Sequence, residues 1–288
     1  MRKKILKTLF LEGIIVILIF VLGLASAKRA EEIMRKENIE MPTLTVGEFL
    51  FLFFLGTGLI LFLVYFKKLK KIRGKFFKIA YFLSGAYGSL VVFSLIFSYL
   101  PENFLFTNLL PLIFCGFLLF WRIKKPNFLN HNLFIGLGLV GISAILGLSF
   151  QPETLLILLA MLSIYDFIAV FKTKHMQKMA TSMLESGSMM GLIVPFEVRK
   201  FNVSVERIKP GREFIILGGG DIAFPLMFAS SLIPQYGIIN ASIVAFFAFF
   251  GIFFTLFFFL LQKKRRPIPA LPPIALFSII GYLVILFL

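Results

Sequence analysis

The chain has few of the residues on which soluble proteins, metal clusters and disulfide networks depend. Only 15% of its 288 residues are charged, and it contains one cysteine, two histidines and one tryptophan. The single cysteine, Cys115, excludes an intramolecular disulfide, and the cysteine count leaves the redox compartment open. His131 and His175 have no second ligand at metal spacing, and we place both in cytoplasmic loops. We therefore expect neither a metal site nor a cofactor.

Apolar residues make up most of the chain. Hydrophobic residues account for 59% of the sequence, which exceeds what a water-soluble protein carries and excludes a soluble fold. The apolar runs are continuous rather than alternating, which favours helices over strands because a helix satisfies its own backbone hydrogen bonds in lipid. Nine runs of about 20 residues predict transmembrane helices at about 5–27, 47–66, 79–99, 104–121, 133–150, 154–171, 214–233, 240–261 and 268–288.

These runs define the fold class that we predict. It is an all-α polytopic membrane protein, a nine-transmembrane-helix bundle that forms one membrane-embedded domain over 1–288. Helices one to six occupy about 5–171, a cytoplasmic loop covers about 172–213, and helices seven to nine occupy about 214–288. The length leaves no room for a large appended soluble domain.

The net charge of +16 reports orientation rather than nucleic-acid binding. If the N-terminus is cytoplasmic, 26 of the 30 Lys and Arg residues fall in cytoplasmic segments. The remaining four, Lys28, Arg29, Arg35 and Lys36, lie on the opposite side. We therefore predict a multi-pass protein of the cell membrane with a cytoplasmic N-terminus, in contact with the lipid bilayer and with no nucleic-acid partner.

The first span has an alternative interpretation as a cleavable signal peptide. Arg2-Lys3-Lys4, the apolar stretch Ile14–Leu24 and Ala25-Ser26-Ala27 form the three expected regions. Cleavage would leave eight spans and would not change the orientation of the others.

The sequence contains two aspartates, Asp166 and Asp221, and both fall inside predicted spans. A carboxyl group in a membrane helix is costly, so a functional role is the default interpretation. Asp166 precedes Lys172 by six residues and Asp221 follows Glu213 by eight, which puts the two at similar depths on consecutive antiparallel helices. Contact between them is therefore possible. A third acid within a span, Glu12, is expected to reach the interface beside the basic end of the first helix.

Two further motifs are unusual in a membrane helix. Three glycines, Gly218, Gly219 and Gly220, precede Asp221 inside the predicted seventh span, which permits close approach of backbone or substrate to the acid. Ordinary small-residue helix packing is the alternative. Four prolines in 267–273 interrupt the start of the ninth span and predict irregular backbone against a polar cavity. The alternative, a helix with proline in its first turn, accounts poorly for Pro272 and Pro273.

In chain order these motifs are Tyr165-Asp166, Gly218-Gly219-Gly220-Asp221 and Pro269-Ala270-Leu271-Pro272. They resemble the Y-D, G-x-G-D and P-A-L-P signatures of the presenilin and signal peptide peptidase family of intramembrane aspartyl proteases. The predicted orientation is similar to that of presenilin, and the short chain looks like a prokaryotic homologue. The resemblance implies Asp166 and Asp221 as catalytic residues. It implies substrate-binding or supporting roles for Tyr165, Gly218, Gly219, Gly220, Pro269, Ala270, Leu271 and Pro272.

The function implied by this resemblance is hydrolysis of peptide bonds within transmembrane segments, by water and two carboxyl groups that share one proton. The partners would be transmembrane-helix substrate proteins, without required accessory subunits. A proton- or cation-coupled transporter that uses the same carboxylates is the alternative. The stretch 201–205 alternates and could offer a strand edge to substrate, although a solvated connection is the other interpretation.

Overall fold

The computed structural model describes residues 2–39, 45–65, 70–173, 175–195, 214–262 and 267–288. Almost all of the described chain is helical. The helices are α1 (Arg2–Glu37), α2 (Val46–Tyr65), α3 (Lys70–Phe97), α4 (Leu110–Lys124), α5 (Phe128–Leu148), α6 (Pro152–Ile168), α7 (His175–Glu185), α8 (Gly219–Ser231), α9 (Ile233–Leu261) and α10 (Leu271–Leu286). One five-residue π-helical turn precedes α4, and another, Ala169–Thr173, follows α6 directly.

Within these ranges, six helical segments are long and apolar enough to cross a bilayer. They are 7–37, 72–97, 105–124, 128–148, 152–172 and 233–261. Their outer faces carry exposed Phe, Leu and Ile side chains, as expected for helices in contact with lipid. The chain is therefore a multi-pass membrane protein.

Helix α5 lies at the centre of the bundle and packs against α1, α3, α4 and α8. Its contact with α3 depends on glycine: a Cβ atom on Gly88 would lie 2.1 Å from the carbonyl oxygen of Gly138, and one on Gly141 would lie 2.0 Å from that of Gly88. The two backbones therefore touch directly, which only small residues permit. This close contact restricts the movement of α5 against α3, and α5 in turn supports α8 and the strand β1 (Gly191–Pro195), which also pack against it.

An antiparallel hairpin of two short strands interrupts the helical architecture. Strand β1 (Gly191–Pro195) pairs with β2 (Phe214–Gly218), with Gly191 opposite Gly218 and Pro195 opposite Phe214. Alternating side chains enter two different cores. Leu192, Ile215 and Leu217 pack into the main bundle, whereas Ile193 and Phe214 pack among Phe77, Phe128, Met183 and Met189 beside α7. The hairpin is thus covered on both faces by protein.

This hairpin corrects two predictions. The predicted seventh helix at 214–233 begins as a strand, and the helix proper, α8, has only 13 residues. The predicted loop at 172–213 contains α7 and β1. The preference for helix assumed lipid around every apolar run, but β2 obtains its backbone partners from β1 and its side-chain contacts from protein. The possible strand at 201–205 lies outside the described residues.

Two polar residues also differ from expectation. Glu12 does not reach the interface: its side chain is fully buried in α1, and neither carboxyl oxygen has a hydrogen-bond partner among the described residues. His131 lies not in a loop but in the first turn of α5, fully buried. Glu12 was placed by its distance from basic residues along the chain, and His131 was placed in a loop because the predicted fifth span began at 133, whereas helix packing decides burial. The side chain of His175 is outside the described residues.

Candidate active site

Asp166 lies in the last turn of α6, with only 3% of its surface exposed. Its Oδ2 atom accepts a hydrogen bond of 3.1 Å from the backbone N–H of Leu271. The backbone of Ala270 provides a second hydrogen bond to the same carboxyl group. One turn earlier on α6, the hydroxyl of Ser163 donates to the carbonyl oxygen of Leu159 at 2.7 Å and makes a longer contact of 3.4 Å to the carbonyl oxygen of Leu271. Helix α6 therefore contacts both backbone groups of Leu271.

The start of α10 explains why these donors are available. The first N–H groups of a helix have no intrahelical acceptor, and Leu271 is the first residue of α10. Pro272 and Pro273 follow it in the first turn, where a missing N–H removes no helical bond. The prediction that these two prolines fit a helix start poorly was wrong, and the described residues directly before α10, 267–270, are non-helical. Asp166 is the acceptor for an otherwise unpaired helix terminus.

Asp221 lies where strand β2 becomes helix α8. Gly218 ends the strand and is the N-cap of α8, so Asp221 is the third helical residue. The Asp221 carboxyl is hydrogen-bonded to the backbone of Gly218. A carboxylate at this position that accepts from the N-cap N–H forms half of a capping box. The hairpin therefore determines both the position and the orientation of this side chain.

The three glycines lie at this junction rather than in a helix interior, as the sequence had suggested: Gly218 ends the strand, and Gly219 and Gly220 begin α8. A Cβ atom on Gly218 would lie 2.9 Å from Oδ2 of Asp221. One on Gly219 would lie 3.0 Å from the carbonyl oxygen of Met190, which accepts the Gly219 N–H. At Gly220 the nearest atom is the flexible ring edge of Phe224, at 3.3 Å. Gly218 and Gly219 are thus needed for close approach, and Gly220 is less constrained.

The two aspartates lie on helices that pack together. Helices α6, α8 and α10 contact one another, and the charge of Asp166 acts on the Asp221 carboxyl group. Tyr165 is partly buried and lies beside Asp166. Among the proline-rich residues Leu271 is buried, and the others, Pro269, Ala270 and Pro272, are partly exposed around it. In the part of the chain that the structure describes, no three His, Cys, Asp or Glu residues form a group suited to a metal ion.

Sequence reasoning missed residues that support this arrangement. Ser163 lies three positions before Asp166, on the same helical face, and this spacing could have indicated it. His131 and Asn132 reach from α5 to the backbone of β1. The polar triplet of Asn130, His131 and Asn132 at the head of a long apolar run was the available signal, but the predicted span began only at 133.

Comparison with known proteins agrees with this geometry. The family model for signal-peptide peptidase and presenilin aspartyl proteases matches residues 12–288. A solved presenilin family intramembrane aspartate protease, in the C222 space group, superposes with a TM-score of 0.62 at 19% identity, over 96% of this chain and 97% of that one. A structure in the P2 space group gives 0.57 at 17% identity, over 93% and 96%. At these low identities, the two superpositions show similarity of fold alone. No curated protein sequence matches the chain.

Proposed function

Because the chain belongs to the signal-peptide peptidase and presenilin family and is therefore an intramembrane aspartic-type endopeptidase, we propose that Asp166 and Asp221 are its catalytic residues. The observation that carries this proposal is the convergence of three elements. The first turn of α8 brings Asp221 within electrostatic range of Asp166, and the start of α10 binds Asp166 through backbone N–H groups. The packing of α6, α8 and α10 thus supports a shared catalytic role for the two aspartates of the family motifs.

The chemistry follows from two neighbouring carboxyl groups. Hydrolysis of a peptide bond needs one ionised carboxylate to take a proton from water and one protonated carboxyl to donate to the carbonyl oxygen. Two like charges at close range oppose each other, so the pair holds a single proton between them. Each aspartate is fixed by backbone donors from another element, Asp166 by Leu271 and Ala270 and Asp221 by Gly218. This keeps the two carboxyl groups in a constant relative geometry.

The supporting residues of the motifs have separate proposed roles. Gly218 and Gly219 allow the strand-to-helix turn that delivers Asp221, and Gly220 adds no side chain next to the acid. Leu271 and Ala270 hold Asp166, while Pro269 restricts the irregular backbone before them and Pro272 restricts the first turn of α10 after them. Tyr165, partly exposed next to Asp166, would contact the substrate.

Substrate would bind as an extended strand along the outer edge of β2. The Gly219 N–H donates to the carbonyl oxygen of Met190. The backbone groups of successive residues in an antiparallel strand point alternately towards and away from the partner strand, so those of Leu217 and Ile215 point towards β1. Phe214 and Ile216 therefore point theirs to the opposite edge, which ends at Asp221. An unwound substrate segment could add a strand there and place a carbonyl group near the acids. A helical substrate must unwind, because its carbonyl groups are already hydrogen-bonded.

The topology that we propose follows the charge distribution. Nine membrane-spanning helices with a cytoplasmic N-terminus place 26 of 30 basic residues in the cytoplasm, in a single-domain protein of the cell membrane. The substrates would be proteins with transmembrane helices, cleaved without accessory subunits, cofactors or nucleic acid. Neither the family match nor the fold similarity supports the transport alternative.

Replacement of each aspartate tests the proposal. The full chain is purified, reconstituted in vesicles and incubated with a labelled single-span substrate, with and without a transition-state isostere of aspartyl proteases. Asp166→Asn and Asp221→Asn should each lower cleavage by at least about 10⁴-fold, because each removes one of two required carboxyl groups. Glu12→Gln removes a buried carboxyl that no motif includes and should leave cleavage near the wild-type rate. Substantial cleavage by either asparagine variant would refute the catalytic pair.

A further inference from the structure

The outer edge of β1 is already occupied by a side chain of α5. The Nδ2 atom of Asn132 donates to the carbonyl oxygen of Ile193 at 2.8 Å. The backbone N–H of Ile193 donates back to Oδ1 of Asn132 at 2.9 Å. One amide side chain thus makes the two reciprocal bonds that a residue of a neighbouring strand would make. Asn132 is buried, so water does not compete for these bonds.

A second contact holds the same strand two residues earlier, through a directed chain of donors. The carbonyl oxygen of Gly191 can only accept, so Nε2 of His131 carries the proton of the neutral ring and donates to it at 3.0 Å. Nδ1 of His131 then accepts from the hydroxyl of Tyr81 at 3.0 Å, and the same hydroxyl oxygen accepts from Nε of Arg122 at 2.6 Å. Tyr81, Arg122 and His131 are all buried.

These contacts bear directly on Asp221. Gly191 lies opposite Gly218, and Ile193 lies opposite Ile216. Helix α5 therefore binds β1 at the two residues paired with the β2 residues whose backbone groups point to the outer edge of β2. Gly218 in turn binds the Asp221 carboxyl. Helix α5 also packs along α8, and its Ser143 hydroxyl donates to the carbonyl oxygen of Ala223 at 3.2 Å. One rigid helix therefore supports both the strand before Asp221 and the helix after it.

We propose that Asn132 and His131 are positioning residues for the peptidase reaction, which bind the β1 edge so that β2 is the edge left for substrate and Asp221 is held in register with Asp166. This inference rests on the proposed function and extends it to residues that no family motif contains. It explains why two buried polar side chains of α5 are directed at the backbone of one short strand.

The test compares leucine replacements of two asparagines on the same helix. Asn132→Leu removes both bonds to Ile193 with little change in volume. Asn130→Leu is the matched control, because the Asn130 amide bonds to the carbonyl oxygens of Trp121 and Lys125 at the α4–α5 turn and not to the hairpin. His131→Phe is a second variant, which keeps a ring stacked on Tyr81 but loses the bonds to Tyr81 and Gly191. Each full-length variant is assayed for kcat, KM and site-resolved amide exchange.

The expected result separates positioning from general stability. In Asn132→Leu, kcat should fall by about 10- to 100-fold with KM within about twofold, since the β2 edge is intact while Asp221 is displaced. The Ile193 amide should exchange at least about tenfold faster. His131→Phe should lower kcat in the same way, and Asn130→Leu should leave kcat and Ile193 exchange near wild type.

Three outcomes would overturn the proposal. The first is a kcat within about twofold of wild type in Asn132→Leu despite faster exchange at Ile193. The second is unchanged exchange at Ile193, which would show that Asn132 does not hold the strand. The third is an equal loss of kcat in both leucine variants, in proportion to lost thermal stability. A wild-type protein that cleaves no substrate would instead refute the proposed function, and the positioning role with it.

Discussion

Gly218→Ala is the sharpest test of how the backbone places Asp221. The added methyl carbon would lie 2.9 Å from Oδ2 and 3.5 Å from Cγ of Asp221. Ordinary contacts of a Cβ atom begin near 3.4 Å, so the carboxyl oxygen must retreat by about 0.5 Å. The backbone cannot yield easily, because Gly219 is bonded to Met190 and Gly218 is paired with Gly191. The displacement therefore falls on the carboxyl group and on its bond to the Gly218 backbone.

The magnitude follows from the sensitivity of catalysis to geometry. Misplacement of a reacting group by about 1 Å costs about 100-fold in rate, so a shift of half that size should lower kcat by about tenfold or more. Loss of the capping interaction should lower the free energy of unfolding by only about 1 kcal/mol. Activity should therefore fall far more than stability, which distinguishes this substitution from a simple packing defect.

The assay measures cleavage of a labelled single-span substrate alongside the melting temperature in detergent. Gly116→Ala is the matched control, because a Cβ atom there meets no other atom within 4 Å. We expect the control to cleave at the wild-type rate. If Gly218→Ala also retained at least half of the wild-type kcat, the Asp221 carboxyl would not be held by this junction and the reasoning would fail.

Three other substitutions probe the bundle around the site. Glu12→Leu should raise the free energy of unfolding by about 1–3 kcal/mol, because it removes a fully buried carboxyl without a partner in the described chain; a lower melting temperature would point to an unrecognised partner. Gly88→Ala should cost about 3 kcal/mol or more, since its methyl group meets the Gly138 carbonyl oxygen at 2.1 Å, and wild-type yield and melting temperature would contradict the α3–α5 contact. The hydrogen bond and charge of Lys36 lower the pKa of Glu102, so their pairing stabilises the fold above the ordinary pKa of a glutamate and is lost as the pH falls through the lowered value. Glu102→Gln should thus lower the melting temperature slightly at neutral pH and not at acid pH or in 1 M salt, and an equal effect at all pH values would exclude this ion pair.

The sequence predicted the parts of this molecule that depend on local chemistry. The cost of an ionisable group in lipid singled out Asp166 and Asp221, and the structure packs the helices that carry them against each other. The proline-rich segment was expected near their depth, and Leu271 donates directly to Asp166. The cost of a buried charge and the backbone N–H that proline lacks are properties of single residues, so the sequence alone shows where they fall.

Other features depend on contacts between distant segments. Strand β2 is as apolar as a membrane helix, and only its pairing with β1 and its burial between two cores make it a strand. Glu12 lies near basic residues that suggested the interface, and His131 lies before the predicted start of the fifth span, but helix packing covers both completely. No local pattern could show that Asn132 would pair with Ile193, 61 residues away.

The shortness of α8 affects how water enters the reaction. Thirteen residues rise only about 20 Å, whereas the hydrocarbon layer is about 30 Å thick, so helix alone does not fill the membrane at this position. The hairpin precedes α8 in the chain, and the outward backbone groups of Phe214 and Ile216 lead along β2 to the junction before Asp221. If substrate pairs along this edge as proposed, water and polypeptide reach the acid by the same route, and no separate pore through the lipid is needed.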